Sequence, residues 1–289
     1  MISIAIVLAL IASAMHGTWN VLVKVSGDPT DTLTRATVSA AVLMTPAAFV
    51  TWLVAGRPGL TVEAAGLAAL SALLELAYVF LLSAAYRRGE VSVVYPTARG
   101  SAPLLAVLIG LGVLGERLAA PQLLGVGLLL AGILAVTLSQ TGGRATLPAL
   151  LTGVAIAAYT AVDRIGVRLA APWLYGWLLV VLLALGLVVA RWVGARLARR
   201  RAAATGPPAI PHEVTWRQAT VIGLFMWTAY LLVLAALSIA PLSVVAPVRE
   251  VAVVAVAVWG VWKLGERKAA GLKLSGAVAT LLGVALLAL

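Results

Sequence analysis

Cysteine is absent from this chain of 289 residues, which excludes disulfides, thiolate nucleophiles and cysteine-bound metal. Histidine is nearly as scarce: His16 and His212 are the only two, and their separation offers no paired metal site. Charge is thin, at 11% of residues, with ten acidic side chains against 21 Lys and Arg. No Gly-x-x-x-x-Gly-Lys-Ser/Thr phosphate loop is present, so ATP drive would need another subunit. A His-Glu-x-x-His zinc helix and a Gly-x-Ser-x-Gly nucleophile elbow are also missing. No cofactor and no metal is expected, and an enzyme is the weaker class.

What fills the chain instead is apolar. It is 63% hydrophobic, with a mean hydropathy of +1.09. So few charges could not cover a soluble domain of that composition. The apolar runs approach or exceed the roughly 18–20 residues that cross a hydrocarbon core of about 30 Å. The expected fold class is an all-α polytopic membrane protein. A net charge of +11 would suggest nucleic acid in a soluble protein. Here the basic residues cluster between spans, where they set orientation. No nucleic-acid partner is expected; membrane lipids are.

Breaking the apolar windows at charge, Pro and Gly clusters predicts ten spans, roughly at 2–24, 33–54, 64–86, 92–114, 121–140, 147–168, 172–193, 214–238, 242–264 and 272–289. Ala12-Ser13-Ala14 resembles a signal-peptidase site, but no Lys or Arg precedes the first apolar run. That run is expected to stay as helix 1. The segment "RLARRRAAATGPPAIPHEV" reads as a surface loop.

One signature occurs twice. Gly115-Glu116-Arg117 and Gly265-Glu266-Arg267 each sit between apolar runs. Ahead of them "VSVVYPTARG" matches "LSVVAPVRE", with Ser92 on Ser243 and Pro96 on Pro247. Beyond them Gly125 and Gly132 match Gly276 and Gly283. Two halves of five spans, residues 1–141 and 142–289, would enter the membrane from opposite sides. Inverted repeats of this kind are typical of secondary transporters that bind cargo near the midplane.

These blocks resemble the EamA domain of the drug/metabolite transporter superfamily, most clearly over the last three helices of each half. The resemblance implies a ten-helix bundle that moves small organic molecules, often as an exporter of amino acids or toxic compounds. One departure is visible: the second half carries Arg249-Glu250 where the first has Arg99-Gly100.

Loops and flanks after odd-numbered helices hold fifteen Lys and Arg, among them Arg199-Arg200-Arg201; those after even-numbered helices hold Arg57, Arg117, Arg164 and Arg168. Positive residues favour the cytoplasm. Both termini are therefore expected outside, in a bacterial inner membrane.

Glu75, Arg99, Arg249 and Glu250 lie within the spans. A charge at a helix centre costs roughly 2.5–3.5 kcal/mol on insertion scales, so it faces a cavity or a partner. At about 1.5 Å per residue, Arg99 and Arg249 lie about 10 Å into helices 4 and 9. Adjacent helical residues point about 100° apart, so Arg249 and Glu250 are expected to seek separate partners. Glu75 with Arg249, or Arg99 with Glu250, would lock the bundle; an arginine free for cargo would bind an anion. Pro96, Pro103 and Pro247 could break helices 4 and 9 nearby. A carboxylate in low dielectric favours its protonated form and a neighbouring arginine the charged one, which makes Glu75 a candidate for the coupling proton.

Polar and aromatic side chains complete the expected pocket: His16, Trp19 and Asn20 in helix 1, Tyr78 in helix 3 and Tyr95 in helix 4. Tyr159 and Asp163 in helix 6 and Trp227 and Tyr230 in helix 8 join them. Core packing is the competing reading for each aromatic. Gly127 with Ala131 and Ala279 with Gly283 are small-residue spacings that allow close helix approach. The leading function is a secondary transporter, with a small-molecule cargo and one chain sufficient. An intramembrane enzyme and a lipid-binding scaffold with a sealed core are the alternatives.

Overall fold

Continuous apolar sequence with few breakers produces helices. The computed structural model describes residues 1–26, 28–88, 91–138, 146–205, 214–252, 254 and 270–288; at 24, 25, 91–93, 95, 96, 136–138, 197–205 and 288 it describes the backbone alone. Among the described residues there are ten helices and no strand. They are α1 (Ile2–Val25), α2 (Pro29–Val54), α3 (Val62–Arg88), α4 (Val91–Gly112), α5 (Ala120–Leu138), α6 (Thr146–Leu169), α7 (Pro172–Thr205), α8 (Trp216–Ile239), α9 (Leu242–Arg249) and α10 (Ala270–Ala288). Seven of them, α1, α2, α3, α6, α7, α8 and α10, are long and apolar enough to cross a membrane; Thr97–Gly112 and Ala120–Ala135 are shorter apolar stretches.

The starts follow local chemistry. Asp28 caps α2 by accepting from the Asp31 amide at 2.9 Å, with Pro29 at the first helical position. Thr215 and Gln218 form a reciprocal capping box at α8. The outer surface displays side chains such as Leu73, Leu124 and Leu281, each about two-thirds exposed. In water such a surface would be a liability; against lipid it is expected.

Two expectations need correction, and a third holds. α7 does not end near 193 but continues as helix to Thr205, through the Arg-rich segment expected to be a loop. Arg, Ala and Leu are strong helix formers, and beyond the span nothing forbids another three turns. α4 is unbroken by Pro96 and Pro103. Helix 9 does break: α9 ends at Arg249, Glu250 adopts φ −93° and ψ 5°, and helical backbone resumes at Val251. Pro247, which cannot donate to the helix, lies three residues before that break. Gly265-Glu266-Arg267 lies outside the described residues.

Helix pairing positions the centre. α3 packs on α6 and α1 on α8; α2 packs on α8 and α7 on α3; α4 and α1 meet α6 and α9 respectively. α2 packs on α7, α4 on α9 and α5 on α10. The last pair touches backbone to backbone. A Cβ on Gly125 would stand 2.9 Å from the Gly283 carbonyl oxygen, and one on Gly132 would collide with the Gly276 carbonyl. Because 125 meets 283 while 132 meets 276, the two helices run antiparallel. Gly127 faces open space and Ala131 is exposed, so that spacing does not form the contact. The matched glycines do.

Candidate functional site

Seven helices enclose a central cavity of about 40 Å³. Its polar and aromatic wall comes from α1 (His16, Trp19), α3 (Glu75, Tyr78), α4 (Arg99), α6 (Tyr159) and α8 (Trp227, Tyr230), while α2 adds Leu33 and Thr37 and α7 adds Leu183. Eight of the thirteen expected site residues are therefore brought to one space. The rings stand edge to face, the arrangement their quadrupoles prefer: Tyr78 to Tyr159 at 5.9 Å, Tyr159 to Tyr230 at 6.2 Å and Trp227 to Tyr230 at 5.2 Å between centroids. Packing and cavity lining are the same residues here.

Behind that wall lie two buried polar clusters. In the first, Glu250 receives both arginines: Arg99 Nη1 at 3.1 Å and Arg249 Nε at 3.1 Å, all three side chains under 5% exposed. Arg249 also donates to Thr160 Oγ1 at 3.4 Å, whose own proton goes to the Ile156 carbonyl at 2.6 Å. The pairing of Arg99 with Glu250 matches expectation; the pairing of Arg249 with Glu250 does not. Sequence neighbours diverge only on a continuous helix, and the break at Glu250 turns its carboxylate back onto Arg249. The break frees the Ala252 amide, which donates to Ser13 Oγ of α1 at 2.7 Å.

In the second cluster Asp163 accepts from Ser71 Oγ at 2.6 Å, from the Tyr175 hydroxyl at 2.9 Å and from the Tyr230 hydroxyl. One carboxylate of α6 thus holds α3, α7 and α8. Glu75 lines the cavity beside Tyr230 and makes no ion pair with Arg249 or with any other described residue. Asn20 turns to its own helix, donating to the His16 carbonyl at 2.8 Å, and does not line the cavity. Tyr95 is described by its backbone only. Among the described residues no group of three or more His, Asp or Glu side chains could hold a metal ion.

A third cluster was not anticipated and lies at one end of the bundle. Gly115, at φ +64°, takes a left-handed turn that glycine adopts without strain. The turn swings Glu116 back over α4. Its Oε1 accepts from the Leu242 amide at 2.6 Å, and its Oε2 from the Ser243 amide at 2.9 Å and the Ser243 hydroxyl at 2.7 Å. These are the first amides of α9, where a negative charge is favoured. Arg164 Nε lies 3.4 Å from Glu116 and its Nη1 donates to the Leu237 carbonyl near the end of α8. Arg164, counted above with the loop flanks, lies within α6 and is mostly buried. Gly110 leaves room for the carboxylate: a Cβ there would stand 2.6 Å from Glu116 Oε2.

A helical bundle with an apolar exterior and an enclosed, charged, aromatic-lined centre defines an integral membrane protein of several spans. Comparison with family models matches residues 3–138 to the EamA-like transporter family. That stretch, a little under half of the chain, is similar to an EamA-like transporter domain. No curated protein matches the chain. Among solved structures 24 chains match. One, a crystal structure described only as a protein, is 17% identical over 98% of this chain and 95% of that one, with a TM-score of 0.59. At that identity the likeness shows the fold alone.

Proposed function

We propose that the chain is a secondary transporter for a small organic solute, an exporter of an amino acid or similar amphipathic compound, working by alternating access. The observation that carries this reading is the cavity: it lies at the centre of the bundle, both halves of the chain wall it, and it holds carboxyl, guanidinium, imidazole and aromatic groups. Such ionisable groups inside a membrane protein normally face a pathway or one another. At about 40 Å³ the space suits a few waters rather than a metabolite, so cargo entry requires expansion.

The helix pairing supports two inverted repeats, 1–141 and 142–289. Exchanging each helix with the one five places on turns α3–α6 into α8–α1 and α2–α8 into α7–α3, and leaves α2–α7, α4–α9 and α5–α10 paired with themselves. The same exchange turns the Gly125–Gly283 contact into Gly276–Gly132. The proposed setting is a bacterial inner membrane with both termini outside, and a single chain encloses the pathway. Glu75 is the proposed coupling residue because it lines the cavity without an ion-pair partner among the described residues.

The test is flux in proteoliposomes containing the purified chain, screened over amino acids, organic cations and organic anions with and without a pH gradient. Solute-dependent flux above empty liposomes is expected. Its absence across the panel would favour the sealed scaffold, a reading to which the close pairing of Arg99, Arg249 and Glu250 already lends weight.

A further inference from the structure

Three polar atoms in the cavity wall make no hydrogen bond to any described residue: Nδ1 of His16, Nε1 of Trp19 and Nε1 of Trp227. Their side chains are nearly fully buried, at 5%, 3% and 3% exposure. Neighbouring polar groups at the centre are engaged. Asp163 takes three hydroxyls, Glu250 takes two guanidinium groups, and Asn20 donates to its own helix. These three atoms come from α1 and α8, two helices that pack on each other.

An indole N–H can only donate, so it needs an acceptor. Leaving such a donor buried and unmade is destabilising, whereas a phenyl ring would give an apolar wall without that defect. Aromatic packing alone therefore does not account for two indoles here. The His16 ring stands edge-on to Trp19 at 5.8 Å, which places a third polar atom beside the first indole. Arg99 lines the same cavity, and its positive charge favours an acceptor that is negative. Glu75 lines it from α3 and disfavours the same charge near itself.

We infer that Trp19 and Trp227, with His16 beside Trp19, form an acceptor subsite that takes a carboxylate of the cargo on the α1–α8 side of the cavity. This rests on the transporter reading and names the chemistry of one end of its cargo. A carboxylate offers two oxygens, enough for two donors from two helices. In the state described these atoms are closed off, and widening of the cavity opens them to the cargo.

The experiment uses the full chain, purified in detergent, with 3-phenylpropionate and 3-phenylpropylamine as probes sharing one skeleton. Trp19 and Trp227 are each replaced by β-(3-benzothienyl)alanine, which keeps the ring shape and exchanges N–H for sulfur; Trp19→Phe and Trp227→Phe provide second variants. The acid should bind and move the indole ¹H–¹⁵N resonances of both tryptophans, and each sulfur isostere should weaken it about tenfold, the effect of one lost hydrogen bond. The amine should bind without moving those resonances. Failure of the acid to bind, or unchanged affinity in both isosteres, overturns the subsite. Flux separates the two claims. Transport of a carboxylate-free solute that the isosteres leave unchanged removes the subsite and keeps the transporter. Acid binding lost in the isosteres, with no solute moved by the wild-type chain, keeps the subsite and removes the transporter.

Discussion

Glu116→Gln is the sharpest perturbation, because it keeps the side-chain shape and removes only charge and one acceptor. The wild-type carboxylate accepts three hydrogen bonds from the start of α9 and faces Arg164 at 3.4 Å. An amide must place its NH₂ at one of two positions. At Oε1 it confronts the Leu242 amide and Arg164, donor against donor; at Oε2 it confronts the Ser243 amide while the Ser243 hydroxyl must turn. Either orientation loses at least one bond. The survivors lose their charge assistance, which separates about 1.5–3 kcal/mol per bond from about 0.5–1.5 kcal/mol.

Together these losses amount to about 3 kcal/mol. At about 2–4 °C per kcal/mol for chains a little smaller than this one, Tm should fall by about 6–12 °C. Glu116→Ala should fall further, since it also strands Arg164, which is only 15% exposed. Thermal unfolding of the purified chain in detergent measures both. A double-mutant cycle with Arg164→Met isolates the ion pair from the amide caps. A Glu116→Gln variant within about 1 °C of wild type would refute the reasoning.

Arg99→Met and Arg249→Met should each cost about 1.5–3 kcal/mol, measured by the same unfolding assay, because each removes one charge-assisted bond while Glu250 keeps the other arginine. Arg99→Lys should recover part of that loss, since an ammonium restores the charge but not the planar fork. Gly132→Leu should prevent α5 and α10 from closing, given that even a Cβ there meets the Gly276 carbonyl and Thr280; loss of a monodisperse peak in size-exclusion chromatography is the readout. A C-terminal alkaline phosphatase fusion should be active and a green fluorescent protein fusion dark, and the reverse pattern would put the termini inside.

Composition and periodicity made the helical class legible, because continuous apolar runs of spanning length satisfy their backbone in lipid as helices, whereas barrel strands alternate. The mid-span ionisable and aromatic residues made much of the site legible for the same reason: each is expensive there and so is concentrated at the centre. What escaped were residues of ordinary type whose importance lies in what they touch. Ser71 and Tyr175 bind Asp163, yet a serine in an alanine-rich helix and a tyrosine near a span end carry no signal alone. Helix 7 was cut short because charge was read as the end of a helix, when it marks only the end of lipid. Glu116 was seen as part of a motif without its role. A signal existed, since Gly110 and Gly260 stand six residues before Glu116 and Glu266, and the first makes space for its carboxylate.

The two halves differ most where they meet. α4 continues past Arg99 into Gly100, whereas the second half breaks after Arg249 and supplies Glu250. One carboxylate from α9 thus neutralises an arginine from each half, and both guanidinium groups depend on it. Separating a buried pair of this kind costs about 3–5 kcal/mol, more than rotating around it. At the two ends the ties differ in burial. Glu116 and Arg164 are mostly buried, while Arg191, which pairs with Asp31 of α2, is half exposed. An exposed pair contributes about 0–1 kcal/mol. The proposed alternating motion would therefore meet less resistance from the Arg191–Asp31 pair than from the Glu116–Arg164 pair, with the buried Glu250 junction of α4 and α9 holding between them.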